Sequence, residues 1–191
     1  MAKRIPGERR KEILQSLAHM LENPKGEKIT TALLAAKLDV SEAALYRHFA
    51  SKAQMYEGLI EFIEESVFSL VNKIQGEEPN GLKQVEAIVA MLLGFAQKNQ
   101  GMTRVLIGDA LVNEDERLQV RMNQLHDRLE SSLRQSTRLA ISAGELAGLD
   151  ANAYANAVMA FVVGRWHQFA KSGFRRGPAE SLALSWQVFA G

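Results

Sequence analysis

The chain has no cysteine, which excludes a disulfide framework, a cysteine-ligated zinc site and a thiol nucleophile. Its 191 residues include only four prolines, and no run of alternating apolar and polar residues indicates a β-strand. There is no apolar stretch of about 18 residues and no apolar run near the amino terminus, so we expect neither a membrane-spanning helix nor a signal peptide. These absences predict an all-α protein that stays in the cytoplasm and has no membrane partner.

Signatures of catalysis and of cofactor binding are also missing. The sequence has no Gly-rich nucleotide loop and no Gly-x-Ser-x-Gly elbow. Its histidines, at positions 19, 48, 126 and 167, are not spaced three or four residues apart as helical metal ligands are. His126, Asp127 and Asp109 offer acid–base groups, but isolated polar residues on amphipathic helices are far more often solvated surface or satisfied core. We therefore expect no enzymatic activity, no metal and no cofactor.

The net charge of +1 hides an uneven distribution. Residues 1–56 contain ten lysines and arginines against six aspartates and glutamates, whereas the remainder contains 13 basic and 16 acidic residues. The amino-terminal part therefore carries the positive charge that a phosphate-binding module requires. Apolar residues at helical spacing predict about nine helices in all. We expect a three-helix DNA-binding domain over 1–53 and a helical core for dimerisation, regulation and partner binding over 54–191.

Capping and breaking signals give some of the helix bounds. The first helix is predicted from about Glu8 to Glu22, where Asn23-Pro-Lys-Gly26 stops it. Ser51-Lys-Ala-Gln54 is a capping box that starts a long fourth helix. A short sixth helix is predicted from Gly101 to about Val112, and Pro178 is expected to open the last helix.

The segment from Ile29 to Phe49 predicts two short helices joined by a tight turn. Asp39 stands where the chain reverses, and aspartate tolerates a left-handed backbone better than most residues other than glycine. Ser41 is a preferred N-cap for the second helix. The inward side of the two helices is apolar and comprises Leu34, Ala35, Leu38, Val40, Leu45 and Phe49.

The outer face of the second helix is small at its start and basic or aromatic at its end. With Leu45 pointing inward, Ala43 and Arg47 fall about 160–200° away on the helix. This shape suits the major groove, where alanine methyls meet thymine methyls and longer side chains reach phosphates or base edges. The alternative is an ordinary helical hairpin. The predicted DNA-binding residues are Thr30, Thr31, Ser41, Glu42, Ala43, Ala44, Tyr46, Arg47, His48 and Lys52.

The last two helices carry more apolar and aromatic side chains than a chain end usually needs. One explanation is that they bury against the body of the same chain. The other is a two-fold interface in which two copies form a four-helix bundle. A dimer would hold two recognition helices about 34–36 Å apart, on a near-palindromic duplex. The predicted dimerisation residues are Val158, Phe161, Val162, Trp166, Phe169 and Trp186.

Several sequence motifs resemble those of a known family. Val40-Ser-Glu-Ala-Ala-Leu-Tyr-Arg-His-Phe49, followed by Ser51-Lys52, resembles the tetracycline-repressor family of helix-turn-helix proteins. Leu59-Ile-Glu-Phe-Ile-Glu-Glu-Ser66, Leu92-Leu-Gly-Phe95 and Thr103-Arg-Val-Leu106 are similar to the nucleoid occlusion branch of that family. The resemblance implies a nucleoid-associated homodimer on double-stranded DNA that, when bound, inhibits assembly of the FtsZ division ring over the chromosome.

The same resemblance implies a groove for the carboxyl-terminal tail of FtsZ between the fourth and fifth helices. Its residues here are Phe62, Leu70, Met91, Gly94 and Lys98. Lys98 and Leu70 stand where the resemblance leads us to expect arginines, and a lysine lacks the bidentate pairing that arginine makes with a carboxylate. Two alternatives remain: a ligand-responsive repressor of the wider family, and a structural helical protein without DNA activity.

Overall fold

The computed structural model describes residues 7–22 and 29–190, and within these ranges all regular structure is helical. The predicted all-α class and the predicted number of α-helices are confirmed for this part of the chain. The predicted stop of the first helix at 23–26 lies outside it. The α-helices are α1 (Glu8–Glu22), α2 (Thr31–Lys37), α3 (Glu42–Tyr46), α4 (Lys52–Glu77), α5 (Gly81–Lys98), α6 (Gln100–Leu106), α7 (Glu116–Ser142), α8 (Ala151–Lys171) and α9 (Leu182–Ala190), with a 3-10 helix at Asp109–Leu111.

The start of α4 is capped by side chains, as the sequence predicts, with one change in partner. The Ser51 hydroxyl accepts a hydrogen bond from the Gln54 amide at 3.2 Å. The Gln54 side chain reaches back and accepts from the Ala50 amide at 2.9 Å, one residue before the cap. The first contact satisfies an amide that the first helical turn leaves without a partner, and the second satisfies the amide of the residue before the cap.

Two helix bounds predicted from the sequence are wrong. The sixth helix ends at Leu106 rather than near Val112, because Gly108 has a φ of 76° and interrupts the α-helical path. The last helix begins at Leu182 rather than at Pro178, because Ser181 has a φ of 55° that an α-helix does not allow.

Among the amino-terminal helices, α1 packs directly on the carboxyl-terminal body. Helix α1 contacts both α4 and α6, and its buried side includes Ile13 and Leu17. The crossing of α1 and α6 is close at Gly101, where an added Cβ would lie 1.9 Å from the Ala18 carbonyl oxygen. A side chain at Gly101 would therefore force the two helices apart.

The body is built around α7, which packs against α4, α5 and α8. Three of these helices share a buried polar network at Gln84. The Ser136 hydroxyl of α7 donates to the Gln84 side-chain oxygen at 2.7 Å. The side-chain nitrogen of Gln84 donates to the Glu78 backbone carbonyl at 2.6 Å. Gln75 of α4 donates to the Ser136 hydroxyl at 3.1 Å. In the described ranges no helix is both long and apolar enough to cross a bilayer.

Candidate nucleic-acid interface and partner groove

The second helix of the predicted helix-turn-helix presents the expected face to solvent. Asp39 adopts a φ of 52°, so the tight turn forms without glycine. The Ser41 hydroxyl caps α3 by accepting from the Ala44 amide at 3.2 Å. Leu45 and Phe49 are buried, each with 1% exposure. The outward positions are exposed except for half-buried Ala44, and comprise Ser41, Glu42, Ala43, Ala44, Tyr46, Arg47 and His48.

Helices α2 and α3 are tied together by hydrogen bonds between predicted DNA-binding residues. Thr30 is the N-cap of α2 and accepts from the Leu33 amide at 3.2 Å. The Thr31 hydroxyl donates to the Glu42 carboxylate at 2.5 Å. The Tyr46 hydroxyl donates to the Thr31 hydroxyl at 3.4 Å. Thr31 and Glu42 therefore have a second role that sequence reasoning did not find, which is to fix the angle between the two helices.

Arg10 of α1 also supports this face and is absent from the predicted set. Its guanidinium donates to the His48 carbonyl at 3.4 Å and lies 4.3 Å from the centroid of the Phe49 ring. Both contacts act at the carboxyl-terminal end of the recognition segment. Arg10 and His48 are 38 residues apart in the sequence, so no local sequence pattern predicts their contact.

Lys52 makes an ion pair across the two predicted domains. Its ammonium lies 2.5 Å from the Glu114 carboxylate, and the two side chains are only 20% and 11% exposed. The ammonium also lies 5.5 Å from the centroid of the buried Tyr56 ring. Burial, and secondarily the Glu114 charge, raise the pKa of the Tyr56 hydroxyl well above its ordinary value. The sequence identified Lys52 but gave no indication of Glu114.

The predicted groove residues lie on two helices that pack against each other. Phe62 and Leu70 of α4 are 43% and 42% exposed, so this helix leaves apolar surface uncovered in the protomer. On α5, Met91 and Gly94 are half-buried and Lys98 is exposed. A Cβ added to Gly94 would meet no described atom within 4 Å, so this surface is open.

Phe62 also borders a cleft that was not predicted from the sequence. This cleft of about 360 Å³ lies between α1 and α4 and is also lined by Arg10, Lys11 and Leu14. The cleft therefore borders both the helix that supports the recognition segment and the helix that carries the groove residues.

The structure corrects five of the six predicted dimerisation residues. Val158, Val162 and Trp166 have no exposure in the single protomer, while Phe169 and Trp186 expose 2% and 5%. The Trp166 indole donates to the Leu92 carbonyl of its own chain at 3.3 Å. Side chains enclosed by their own protomer cannot form the surface that a second copy covers. They form the core beneath it instead.

Other positions of α8 and α9 do face outward. On α9, Leu184 is 69% exposed and Val188 is 83% exposed. On α8, small residues recur on one exposed side and comprise Ala153, Ala157, Ala160 and Gly164. Phe161, the remaining predicted residue, is half-buried, with its ring centroid 5.3 Å from that of Phe189.

Comparison with known proteins finds two family matches that together span most of the chain. Residues 27–59 match "Bacterial regulatory proteins, tetR family", and residues 80–191 match an SlmA-like "Tetracyclin repressor-like, C-terminal domain". The chain is 49% identical over 182 residues to the nucleoid occlusion factor SlmA of Alteromonas mediterranea, covering 95% of this chain and 93% of the relative. It is 49% identical over 181 residues to the nucleoid occlusion factor SlmA of Idiomarina loihiensis, covering 94% and 92%.

Solved structures share the fold at low sequence identity. The TetR-family transcriptional regulator PfmR from Thermus thermophilus superposes with a TM-score of 0.79 at 20% identity, covering 93% of this chain and 96% of that one. A TetR transcription regulator from Haloarcula marismortui gives a TM-score of 0.80 at 15% identity, covering 96% of each.

Proposed function

Because this chain belongs to the SlmA branch of the tetracycline-repressor family, we propose that it is a nucleoid occlusion factor: a homodimer that binds near-palindromic duplex sites and, when bound, antagonises FtsZ assembly over the chromosome. The observation that carries the proposal is the coexistence of two separate exposed surfaces. One is the outward side of the segment from Ser41 to His48, and the other is the side of α4 and α5 on which Phe62 and Leu70 are exposed and the space at Gly94 is open.

The recognition segment supports DNA binding through its shape and charge. Small Ala43 near its start leaves room for base edges, and Arg47 and His48 at its end are exposed cations or hydrogen-bond donors. The hydrogen bonds through Thr31 hold α3 at a fixed angle on α2, so the helix enters a groove as a rigid unit. Small side chains at the start of the helix leave part of the sequence discrimination to DNA shape.

The groove between α4 and α5 supports binding of an extended or helical peptide. Phe62, Leu70 and Met91 provide apolar surface, and Gly94 lets a peptide backbone approach α5 closely. Lys98 lies one helical turn beyond Gly94 and supplies a cation for a peptide carboxylate. We assign this groove to the carboxyl-terminal tail of FtsZ.

Exposed apolar residues on the last two helices support a homodimer. Leu184 and Val188 of α9 are among the most exposed large apolar side chains of the described residues. The small residues of α8 allow a second pair of helices to approach closely. We propose that two copies bring these faces together as a four-helix bundle.

The proposal is tested by FtsZ sedimentation with and without a cognate duplex selected from genomic fragments that the protein retains. We expect the protein to reduce sedimented FtsZ polymer strongly with the cognate duplex, and much less with a scrambled duplex of equal length or with none. Equal FtsZ sedimentation under all three conditions would reject the division role.

A ligand-responsive repressor is the second candidate, and one cleft favours it. This cleft of about 230 Å³ lies between α6 and α8 and is lined by Arg104, His167 and Lys171 among others. Asp109 also lines the cleft and pairs with Arg104, so Lys171 is the cation that would attract a small anion. By contrast, the polar atoms of Gln84 beside the core already bond to the protein, so they do not await a ligand. Duplex release by a small anion, without any effect of the duplex on FtsZ, would favour this candidate.

A further inference from the structure

The ion pair between Lys52 and Glu114 joins residues 62 positions apart. Lys52 is the first residue of α4, and Glu114 lies in the segment between the 3-10 helix and α7. Both side chains are largely removed from water, which strengthens their attraction relative to a surface pair. The start of α4 is thereby held against the body.

Lys52 is also one of the side chains expected to hold DNA phosphates, and the two tasks conflict. The lysine ammonium is enclosed by the Glu114 carboxylate and the Tyr56 ring. A phosphate that approached the ammonium here would approach the carboxylate as well, and like charges a few ångströms apart repel each other. Either the ion pair opens when DNA docks, or the duplex binds against the repulsion of Glu114.

We propose that Glu114 is a positioning residue that competes with DNA phosphate for Lys52, so that docking on a duplex releases the start of α4 from the body. The inference rests on the DNA-binding half of the proposed function and is independent of FtsZ. It gives Glu114 a regulatory role in a segment that makes no predicted contact with DNA.

The remainder of α4 has its own attachments to α7, which limits what the release can move. Arg121 of α7 pairs with Glu64 at 2.7 Å, and the Arg128 guanidinium lies 3.9 Å from the centroid of the Phe68 ring. Arg121 also donates to the Glu57 carbonyl at 3.4 Å, and Met55 and Tyr56 are buried in the core. The freed part is therefore only the first turn of α4, from Lys52 to Gln54.

The test compares Glu114→Gln with a matched control, Glu64→Gln. Each variant removes one carboxylate from an ion pair that holds α4 to the body, but only Glu114 is paired with a predicted phosphate ligand. We expect Glu114→Gln to bind both cognate and unrelated duplexes about fivefold or more tightly than wild type, in the range of typical coupling between sites. Glu64→Gln should bind DNA as wild type does, and thermal melts of both variants show that each is folded.

The decisive step is to repeat the comparison in a Lys52→Gln background. If Glu114 acts through Lys52, then Glu114→Gln should no longer change the DNA affinity there. An equal gain in that background would show a general charge effect and overturn the proposal, as would equal duplex affinities of wild type and Glu114→Gln. If no variant inhibits FtsZ, the division role fails, and the DNA affinities still decide the role of Glu114.

Discussion

The Tyr46 hydroxyl donates a hydrogen bond to the Thr31 hydroxyl, 3.4 Å away, and thereby links the end of α3 to the start of α2. Thr31 in turn donates to Glu42 at 2.5 Å. The two contacts hold α3 at both ends against the preceding helix. A five-residue helix has almost no stability by itself, so its orientation on DNA depends on such external contacts.

Replacing Tyr46 by alanine should weaken binding to cognate and unrelated duplexes by a similar factor. On DNA the single hydroxyl proton is expected to leave Thr31 and donate to a phosphate, which carries no sequence information. Loss of one hydrogen bond to a charged group costs about 1.5–3 kcal/mol. Fluorescence anisotropy on both duplexes measures the effect. Phe62→Ala is the matched control, since Phe62 is similarly exposed (43% against 46%) but lies outside the recognition segment. Unchanged affinity of Tyr46→Ala for both duplexes would mean that the helix meets DNA by another side.

The local parts of this architecture could be predicted from the sequence because their causes are local. The Ser41 and Ser51 caps, the left-handed Asp39 and the inward Leu45 each depend on residues within one turn. The predicted end of the sixth helix is wrong for a local reason too. The left-handed backbone of Gly108 ends the α-helical path, and the apolar pattern continues past it.

Contacts distant in sequence could not be predicted. A helical period shows which face of α8 is apolar, but not whether its own chain or a second copy covers it. Trp166 and Val158 were therefore assigned to a dimer interface although the protomer's own core encloses them. Glu114 carries no motif either, and only the folded chain brings it to Lys52.

Acidification should destabilise the protein partly through His126. Its imidazole packs beside Trp166, with ring centroids 5.9 Å apart, and burial lowers its pKa below the ordinary 6.5. The Asp127 charge and a backbone contact with Leu106 oppose the shift but do not reverse it. Between the lowered folded pKa and about 6.5, the unfolded chain binds more protons, so the free energy of unfolding falls as the pH falls.

Replacing His126 by phenylalanine should reduce this pH dependence. Urea denaturation from pH 7 down to pH 5 should show a wild-type free energy of unfolding that falls by up to about 1.4 kcal/mol per pH unit from this residue. In the His126→Phe variant, the free energy of unfolding should fall less with pH, because the contribution of the imidazole is missing. His19→Gln is the control, because His19 lies on the surface of α1. Identical pH slopes for wild type and His126→Phe would show that the imidazole does not contribute.

Replacing Val188 by aspartate should convert the dimer into folded monomers. Val188 is 83% exposed in the protomer, so the substitution should change the folding stability of the monomer little. An unpaired carboxylate within an apolar interface would cost at least about 2 kcal/mol of association free energy. Sedimentation velocity measures the assembly state. Val120→Asp, at an exposed valine of α7, is the matched control and should remain dimeric. A dimeric Val188→Asp protein would place the interface elsewhere.

Replacing Lys98 by arginine should tighten binding of the FtsZ tail. Arginine offers two parallel donors to a carboxylate, whereas lysine acts as a point charge. We expect a gain of about 1 kcal/mol, measured by titrating a fluorescent tail peptide into the duplex-bound protein. Lys83→Arg, at an exposed lysine near the other end of α5, should change nothing. Equal gains in both variants would indicate a non-specific effect of arginine.

The most direct test of the account is FtsZ sedimentation at saturating cognate duplex with wild type, Gly94→Leu and Gly76→Leu. Both glycines are helical, and at each an added Cβ meets no described atom within 4 Å, so neither change should harm the fold. Both remove a helix-disfavouring glycine, worth up to about 1 kcal/mol of stability. We predict that Gly94→Leu binds the duplex as wild type does but leaves FtsZ polymer in the pellet, while Gly76→Leu still depletes it. Depletion of FtsZ polymer by Gly94→Leu to the wild-type extent would contradict the account.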